Sequence, residues 1–281
     1  MRLMVLGCGN VGLEVTERAK GRGWEVVATT TSSGRVEELS KYADDVVVLE
    51  GKDAAAVAAA AKGCDAILVS ASPRIMSSVT VEDRANSYRE VLVASCESAA
   101  AVCDQIIFMS SVSVYGDGTQ ESRDFLDEET PRTTSDEPSS VYFAMAEDAA
   151  LRAPQGVVLR LADVHGGPND MDYTSRVKMV HQYMGGGTDF APDGKLHRVH
   201  VDDVANAVIY ALENKLTGAY NCVPDVVPAP TNKEAFDAIA DNAGLERIEF
   251  RDKLRTPTQQ VSSAKLRAAG FVFEHPDDPL F

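Results

Sequence analysis

The feature that most constrains this chain is a glycine-rich turn between a short apolar run and a helical pattern. The apolar run Leu3–Leu6 leads directly into Gly7-Cys8-Gly9-Asn10-Val11-Gly12. A helical pattern over Val11–Arg22 and a second apolar run over Trp24–Ala28 follow. Strand, loop, helix and strand therefore fit within about 30 residues, which is typical of the first unit of a parallel sheet that holds a dinucleotide.

Each glycine of this turn has a distinct structural role. Gly7 permits the tight turn, Gly9 lets the backbone approach a pyrophosphate, and Gly12 allows the helix to pack closely on the strand. The helix behind the turn presents free N–H groups and the positive end of its dipole to an anion. We therefore expect the whole loop, with Cys8, Asn10 and Val11 between the glycines, to contact a cofactor.

The same alternation continues along the first 161 residues and predicts the fold class. Further short apolar runs occur at Val46–Leu49, Ala66–Val69, Ile106–Met109 and Val157–Leu161. Helical patterns separate them at Gly34–Tyr42, Asp53–Lys62, Tyr88–Val102 and Tyr142–Arg152. Because the runs are continuously apolar, they indicate strands that are covered on both faces. We predict an α/β fold, a Rossmann-type doubly wound parallel sheet with a smaller C-terminal substrate-binding region.

The pattern also suggests a division of the chain. Residues 1–165 form the predicted dinucleotide-binding domain, and residues 196–213 return to it with a short strand and a helix. Residues 166–195 and 214–281 form the predicted substrate-binding region. Residues 116–141 make a long polar loop, of the kind that often serves as a lid.

Composition excludes several classes of function. The formal net charge of −16 argues against nucleic-acid binding, which requires clusters of basic residues. No apolar stretch approaches the roughly 20 residues that a membrane helix requires. The first strand begins too early to leave room for a signal peptide, so a cytoplasmic location is expected. The scattered cysteines and the histidine spacing predict no metal site.

The end of the second strand bears on the choice of cofactor. An acidic residue there would bind a ribose 2′-hydroxyl and repel a 2′-phosphate. This chain has Thr29-Thr30-Thr31-Ser32-Ser33-Gly34-Arg35 instead. Hydroxyl groups and a guanidinium suit a 2′-phosphate, so Thr30, Thr31, Ser32 and Arg35 are predicted to bind NADP(H). NAD(H) stays open as the alternative, as does an ordinary surface role for Arg35.

Further motifs carry a resemblance over nearly the whole chain. They are Ser70-Ala71-Ser72-Pro73, Ser110-Ser111-Val112-Ser113-Val114-Tyr115-Gly116, Leu159-Arg160-Leu161-Ala162-Asp163-Val164-His165-Gly166-Gly167-Pro168 and His200-Val201-Asp202-Asp203-Val204-Ala205. With the glycine loop, they resemble the extended and atypical branches of the short-chain dehydrogenase/reductase superfamily, the NAD-dependent epimerase/dehydratase group. The threonine-rich second loop is similar to that of a YeeZ-like atypical subgroup. The resemblance implies that Ser70, Ala71 and Ser72 also bind the cofactor.

The resemblance further implies two catalytic residues. Ser111 matches the serine that hydrogen-bonds the substrate oxygen, and Tyr142 is the best match to the tyrosine of a YxxxK motif. That tyrosine is a general acid/base whose pKa the motif lysine lowers. Here the lysine position is Ala146.

Three interpretations of the missing lysine stay open. Arg160, Arg176 or Lys178 could replace the lysine, Tyr142 could act as a neutral proton donor, or the protein could bind the dinucleotide without turnover. The resemblance therefore implies an oxidoreductase or an epimerase/dehydratase for a small carbonyl, hydroxyl or nucleotide-sugar substrate. A non-catalytic NADP(H)-binding sensor or scaffold is the alternative. Dimers are common in the superfamily, so a homodimer is a further expectation.

Overall fold

In a computed structural model, a parallel sheet of seven strands with helices on both faces forms the centre of the molecule. The structure describes residues 1–73, 80–116, 118, 124–134, 136–167, 170–254 and 256–277. Pro168, the last residue of the third motif, lies outside this part of the chain.

Six strands of the main sheet follow the predicted apolar runs, and the described residues form thirteen strands in all. They are β1 (Arg2–Leu6), β2 (Glu25–Thr30), β3 (Asp45–Val48), β4 (Ala66–Val69), β5 (Gln105–Ser111), β6 (Phe125–Leu126), β7 (Gln155–Leu161), β8 (Asp163–His165), β9 (Gly187–Phe190), β10 (Arg198–His200), β11 (Gly218–Cys222), β12 (Glu249–Leu254) and β13 (Gln260–Val261).

The helices account for most of the remaining regular structure. They are α1 (Asn10–Gly21), α2 (Val36–Leu39), α3 (Ala54–Ala60), α4 (Val81–Tyr88), α5 (Ala94–Ala100), α6 (Pro138–Ala150), α7 (Tyr173–Tyr183), α8 (Val201–Glu213), α9 (Asn232–Ala243) and α10 (Ala264–Ala268). A π-helical turn, Arg89–Val93, joins α4 to α5, and short 3₁₀ turns cover Ser33–Arg35 and Val112–Tyr115. In the described part of the chain, no helix is both long and apolar enough to cross a bilayer.

The strand order confirms the doubly wound fold. It is β3-β2-β1-β4-β5-β7-β11, and every neighbouring pair is parallel. The chain adds β2 and β3 on one side of β1 and then returns to add β4 and the later strands on the other side. This reversal between β1 and β4 opens a crevice at their carboxyl ends. Two-stranded parallel pairs, β8 with β10, β6 with β13 and β9 with β12, lie outside this sheet.

Alternate side chains of each central strand fill two apolar layers. Leu3 and Val5 belong to the layer that includes side chains of α1 and α8, while Met4 and Leu6 belong to the layer of α3, α5 and α6. All four are essentially inaccessible to solvent. Burial on both faces explains why the runs are apolar without interruption.

Among the elements that differ from the sequence expectation are α6, β6 and β11. The sixth helix begins at Pro138 rather than Tyr142, because Pro138 occupies its first turn and the Glu137 carboxylate accepts the N–H of Ser139. The polar loop contains β6, whose Leu126 is fully buried beside β13. The strand β11 extends the main sheet beside β7, although residues 214–281 were assigned to the smaller region.

A buried carboxylate helps to hold the segment after α10 against α8. Asp203 is fully buried in the first turn of α8, and its two oxygens accept the backbone N–H groups of Glu274 at 2.6 Å and His275 at 3.0 Å. Asp203 therefore fixes the end of the described chain against the dinucleotide-binding half.

Replacing Asp203 with asparagine is expected to destabilise the protein. The amide accepts through one oxygen only, so one tail N–H is left facing an NH₂ group in a buried position. The free energy of unfolding in urea should fall by about 1–3 kcal/mol. Glu213→Gln, at the exposed end of the same helix, is the control and should stay within about 0.5 kcal/mol of the parent. Equal stability of the two variants would contradict this account.

Candidate functional site

The glycine loop closes against the end of β4. Gly7 has φ +91°, and a Cβ placed on it would lie 2.5 Å from the Cα of Ala71. Its N–H donates to Thr29 Oγ1 at 2.9 Å, and its carbonyl accepts from Ser70 Oγ at 3.0 Å. The loop is thus held by β2 on one side and β4 on the other, which leaves room for glycine alone at position 7.

Gly9 and Gly12 act differently from Gly7. A Cβ on Gly9 would meet no protein atom within 4 Å, so this position faces open space. A Cβ on Gly12 would lie 3.0 Å from Val5 Cγ1, so this position packs the helix on its strand. The start of α1 has no capping side chain and no acidic residue in its first turn. Its amide groups are therefore available to an anion in front of Gly9.

A cavity of about 470 Å³ lies on the β2 side of the loop. It is lined by Gly7, Cys8, Gly9, Thr29, Thr30, Thr31, Arg35, Glu50, Gly51, Lys52, Ser70, Ala71, Ser72, Ser87, Glu90, Val91 and Ser95. Most of the cofactor-binding residues expected from the sequence are in this set, but Asn10, Val11, Gly12 and Ser32 are not.

The hydroxyls and the cation predicted to select the cofactor have distinct surroundings. Thr30 is buried, and its Oγ1 accepts the N–H of Ser32 at 3.2 Å, so these two residues shape the turn after β2. Thr31 is exposed at the cavity edge. The guanidinium of Arg35 donates to the carbonyl of Cys8 at 2.7 Å and pairs with Glu38 at 3.2 Å.

The thiol of Cys8 is not a reactive group of this cavity. The side chain is buried, and its Sγ lies 3.8 Å from Thr16 Oγ1. Burial raises the pKa of the Cys8 thiol above its usual value, which favours the neutral form. Cys8 therefore serves as a small packing residue of the loop.

A second cavity of about 400 Å³ shares Gly9 and Ser70–Ser72 with the first. Its lining is Gly9, Asn10, Val11, Gly12, Ser70, Ala71, Ser72, Leu92, Met109, Ser110, Ser111, Phe143, Leu161, Ala162 and Val164. The two spaces together follow the carboxyl edge of the sheet from β2 to β7. Among the described residues of this second lining, none has an ionisable side chain.

Ser111, which the sequence predicts to be catalytic, lines this cavity. It ends β5, and its Oγ accepts the N–H of Ser113 at 3.1 Å, which forms the first turn of the following 3₁₀ segment. A hydroxyl that accepts one hydrogen bond can still donate its own proton. Ser111 can therefore offer a hydrogen bond to a substrate oxygen in the cavity.

Tyr142 has a different environment from Ser111. It is not among the described residues that line either cavity, whereas its neighbour Phe143 lines the second one. The Tyr142 hydroxyl accepts a hydrogen bond from Arg89 Nη2 at 2.9 Å, and Ala146 is fully buried in the apolar layer of α6. The acid/base role of Tyr142 stays a prediction, and the sequence did not single out the cation beside it.

The two arginines that the sequence offered as lysine replacements have other partners. Arg160 forms a two-point ion pair with Glu147, with both N–O distances 2.9 Å. Arg176 is bound to Asp163 at 2.6 Å and to Asp170 at 3.0 Å. Arg89 comes from the π-helical turn, 53 residues away from Tyr142 in the chain, and no local pattern links the two.

A buried polar network supports the Ser111 side of the cavity. Glu147 accepts from Ser110 Oγ at 2.7 Å, and Arg160 Nη1 donates to the Tyr115 hydroxyl at 2.9 Å. The Tyr115 hydroxyl donates in turn to Asn221 Oδ1 at 2.8 Å. Burial raises the pKa of Tyr115 to about 12, so its hydroxyl keeps its proton. The network connects α6, β5, β7 and β11 directly below the cavity.

Removing the negative charge of this network is expected to be costly. Glu147→Gln leaves the buried Arg160 guanidinium without its counter-charge, which should lower the free energy of unfolding by about 3–5 kcal/mol. The neighbouring residue provides the control: Asp148 is exposed and pairs with Arg132, so Asp148→Asn should cost about 0–1 kcal/mol. Urea unfolding of both variants measures the difference, and equal losses would exclude a special role for the buried pair.

Comparisons with known proteins agree with this architecture. A model of the NAD dependent epimerase/dehydratase family matches residues 3–222. Protein YeeZ of Escherichia coli (strain K12) is 27% identical over 289 residues, which covers 98% of this chain and 97% of YeeZ. Vestitone reductase of Medicago sativa is 34% identical over 89 residues, but that match spans only 31% of this chain and 27% of the reductase.

The fold is also that of solved structures. The UDP-glucose 4-epimerase of Thermus thermophilus, in complex with NAD, has a TM-score of 0.75 and 23% identity, and the match covers 98% of this chain and 94% of the epimerase. At this level of identity the likeness establishes the shared fold.

Proposed function

The chain belongs to the NAD-dependent epimerase/dehydratase family, and from that premise we propose that it binds a nicotinamide dinucleotide and uses it to oxidise or reduce a small carbonyl or hydroxyl compound. The observation that carries this proposal is the pair of cavities along the carboxyl edge of the sheet, which meet at Gly9 and Ser70–Ser72. Such an edge, at the point where the strand order reverses, is where ligands of doubly wound sheets bind.

The glycine loop fits the pyrophosphate of such a cofactor. The space in front of Gly9 is free of protein atoms, and the uncapped start of α1 supplies backbone donors beside it. The cavity on the β2 side would hold the adenosine half, and the cavity on the β5 side would hold the nicotinamide half. When bound, the nicotinamide accepts or donates a hydride.

We further propose a preference for NADP(H). The residues at the end of β2 that line the cavity, Thr30, Thr31 and Arg35, include no carboxylate. The 2′-phosphate carries negative charge, and the guanidinium of Arg35, which lines the cavity at the end of β2, can bind it. NAD(H) has no 2′-phosphate and therefore cannot make this contact. The acidic partner of Arg35, Glu38, offsets part of the benefit.

Fluorescence titration is expected to show tighter binding of NADPH than of NADH. Arg35→Ala should weaken NADPH binding by about ten- to a hundredfold, because a charge-assisted contact worth about 1.5–3 kcal/mol is lost. The affinity for NADH should change by no more than about twofold, because NADH has no 2′-phosphate. The unequal effect on the two cofactors separates loss of the phosphate contact from damage to the loop.

Two variants serve as controls for this titration. Arg22→Ala removes an exposed arginine that pairs with Glu213 far from the cavity, and it should bind both cofactors normally. In Gly9→Asp the new side chain would extend into open space and meet no protein atom. The variant should therefore fold but bind neither cofactor. Tighter binding of NADH by the parent would overturn the NADP(H) preference. Failure to bind either cofactor at millimolar concentration would overturn dinucleotide binding itself.

The proposed catalytic role of Ser111 is to orient and polarise the substrate oxygen. Its hydroxyl ends β5 inside the second cavity and can donate to an oxygen there. Small carbonyl or hydroxyl compounds and nucleotide sugars are the candidate substrates. The named relatives include a reductase and a UDP-sugar epimerase.

A second candidate function is a dinucleotide-binding sensor or scaffold without turnover. It is favoured by the absence of an ionisable side chain among the described residues of the second cavity. Proton transfer in this family type requires an acid or base within hydrogen-bond reach of the substrate. Tyr142 is held by Arg89 on the neighbouring helical unit rather than in that lining.

Turnover assays distinguish the two candidates: aldehydes and ketones are supplied with NADPH, which donates the hydride, and UDP-sugars with NADP⁺, which accepts it. For an enzyme, Ser111→Ala should lower kcat/KM by about 10²–10³-fold, because a hydrogen bond to the reacting oxygen is lost. Ser113→Ala removes a hydroxyl of the same turn that is not in the lining, and it should keep the parent rate. Equal rates for Ser111→Ala and the parent would remove Ser111 from the mechanism.

Tyr142→Phe tests the remaining prediction from the sequence. If the phenol takes part in proton transfer, this variant should lose turnover as strongly as Ser111→Ala. Binding of NADPH without turnover of any substrate by the parent protein would support the sensor or scaffold.

A further inference from the structure

A group of metal-ligating side chains lies outside the cofactor cavities, where the start of α8 meets the C-terminal segment. His200 precedes α8, Asp202 lies in its first turn, and His275 follows α10 at a distance in the chain. One ligand atom from each of the three side chains lies within 4.8 Å of the others. The two imidazole rings are stacked, with centroids 3.9 Å apart and an angle of 24° between their planes.

The carboxylate of Asp202 faces both rings. Its Oδ1 is bound by the guanidinium of Arg18, which comes from α1. Its Oδ2 lies 3.4 Å from His200 Nδ1 and 4.0 Å from His275 Nε2. Arg18 thus fixes the carboxylate so that its other oxygen is directed to the two imidazoles. Hydrogen-bond partners commonly orient metal ligands in this way.

His275 is held in place by its backbone rather than by its ring. Its N–H donates to Asp203, as does that of Glu274. The ring nitrogen Nδ1 is buried and has no hydrogen-bond partner among the residues that the structure describes, and it lies 3.6 Å from Asp203 Oδ2. The imidazole is therefore positioned beside His200 while its own nitrogen atoms stay available.

Two further histidines lie nearby and are unsuited to complete the group. His165 meets the ring of His200 edge-on at 5.5 Å, so it packs against a ligand. His197 is buried, and its Nε2 accepts the N–H of Val261 at 3.0 Å. Burial lowers the pKa of His197 to about 4, which keeps it neutral in this structural role.

We propose that His200, Asp202 and His275 form a binding site for a divalent transition-metal ion of the Zn²⁺ class. Two imidazoles and one carboxylate make a ligand set that suits such ions better than Mg²⁺ or Ca²⁺, which prefer oxygen. Spacing along the chain predicted no metal site, because His275 joins the other two ligands only through folding. The site is separate from the dinucleotide cavities and does not depend on the proposed cofactor.

The distances are close to those that coordination requires. Bonds of about 2.1 Å in a tetrahedral site place ligand atoms about 3.4 Å apart. The Asp202 to His200 distance already has this value, and the Asp202 to His275 distance of 4.0 Å must shorten. Because the rings are stacked, the imidazole of His275 must also turn until its lone pair converges with that of His200.

The surroundings leave room for these changes and for a fourth ligand. Both histidines line a small cavity of about 100 Å³, which can hold a water molecule at the open position. His200 Nδ1 now accepts the N–H of Asp202 at 3.2 Å, so a metal ion at this nitrogen would replace a helix cap. The bound ion would join the C-terminal segment to α8 through His275.

Titration of EDTA-treated, full-length protein with Co²⁺ tests the site, because Co²⁺ in a nitrogen and oxygen site of this kind absorbs visible light. We expect one Co²⁺ per chain, displacement by Zn²⁺, and a melting temperature that rises with Zn²⁺ concentration. His275→Gln should weaken Co²⁺ binding by at least about tenfold. Its NADPH affinity, measured in parallel, should equal that of the parent protein.

The control variant is His181→Gln. His181 is a partly exposed histidine on α7 whose ring contacts the carbonyl of Glu246, away from the cluster. It should bind Co²⁺ as the parent does. The proposal is overturned if the parent binds no Co²⁺ at millimolar concentration, or if His275→Gln and His181→Gln bind it equally well. Neither result would affect the proposed dinucleotide function.

Discussion

The rest of the structure depends on the close backbone approach between the ends of β1 and β4. At this point the strand order reverses, and the Gly7 loop comes so near to Ala71 that any side chain would collide with backbone. The approach turns the start of α1 toward the crevice, and the crevice extends from there to both sides. Both cavities share the residues of this contact, so their position follows from it.

A second constraint lies beneath the crevice. The buried ion pair of Glu147 and Arg160 connects the sixth helix to β7, and through Ser110 it reaches the strand end that presents Ser111. This attachment sets how α6 lies against the sheet. With Glu147 on the inner side, Phe143, one turn earlier, meets the cavity, and Tyr142 lies against Arg89 of the adjacent helical unit. The orientation of α6 therefore determines which of its side chains reach the cavity.

Much of the fold could be predicted from local pattern. Continuous apolar runs identified six strands of the main sheet, and α1 begins and ends within one residue of the helix expected behind the glycine loop. The start of α6 was misplaced because Pro138 marks a first turn that hydrophobic periodicity does not reveal. The strand β6 was missed since a two-residue strand leaves no periodic signal, and its Leu126 is buried among Val114, Tyr115, Val223 and Val261, which come from distant parts of the chain.

The sequence by itself determined the doubly wound sheet, the turn made by Gly7, Gly9 and Gly12, and the placement of Ser111 at a strand end. These features depend on neighbouring residues, so spacing and residue type are sufficient to define them. The partnership of Tyr142 with Arg89, and the meeting of His200 with His275, were decided by the tertiary structure alone. Such contacts join residues far apart in the chain, and they arise from how helices and tail pack, for which no local pattern exists.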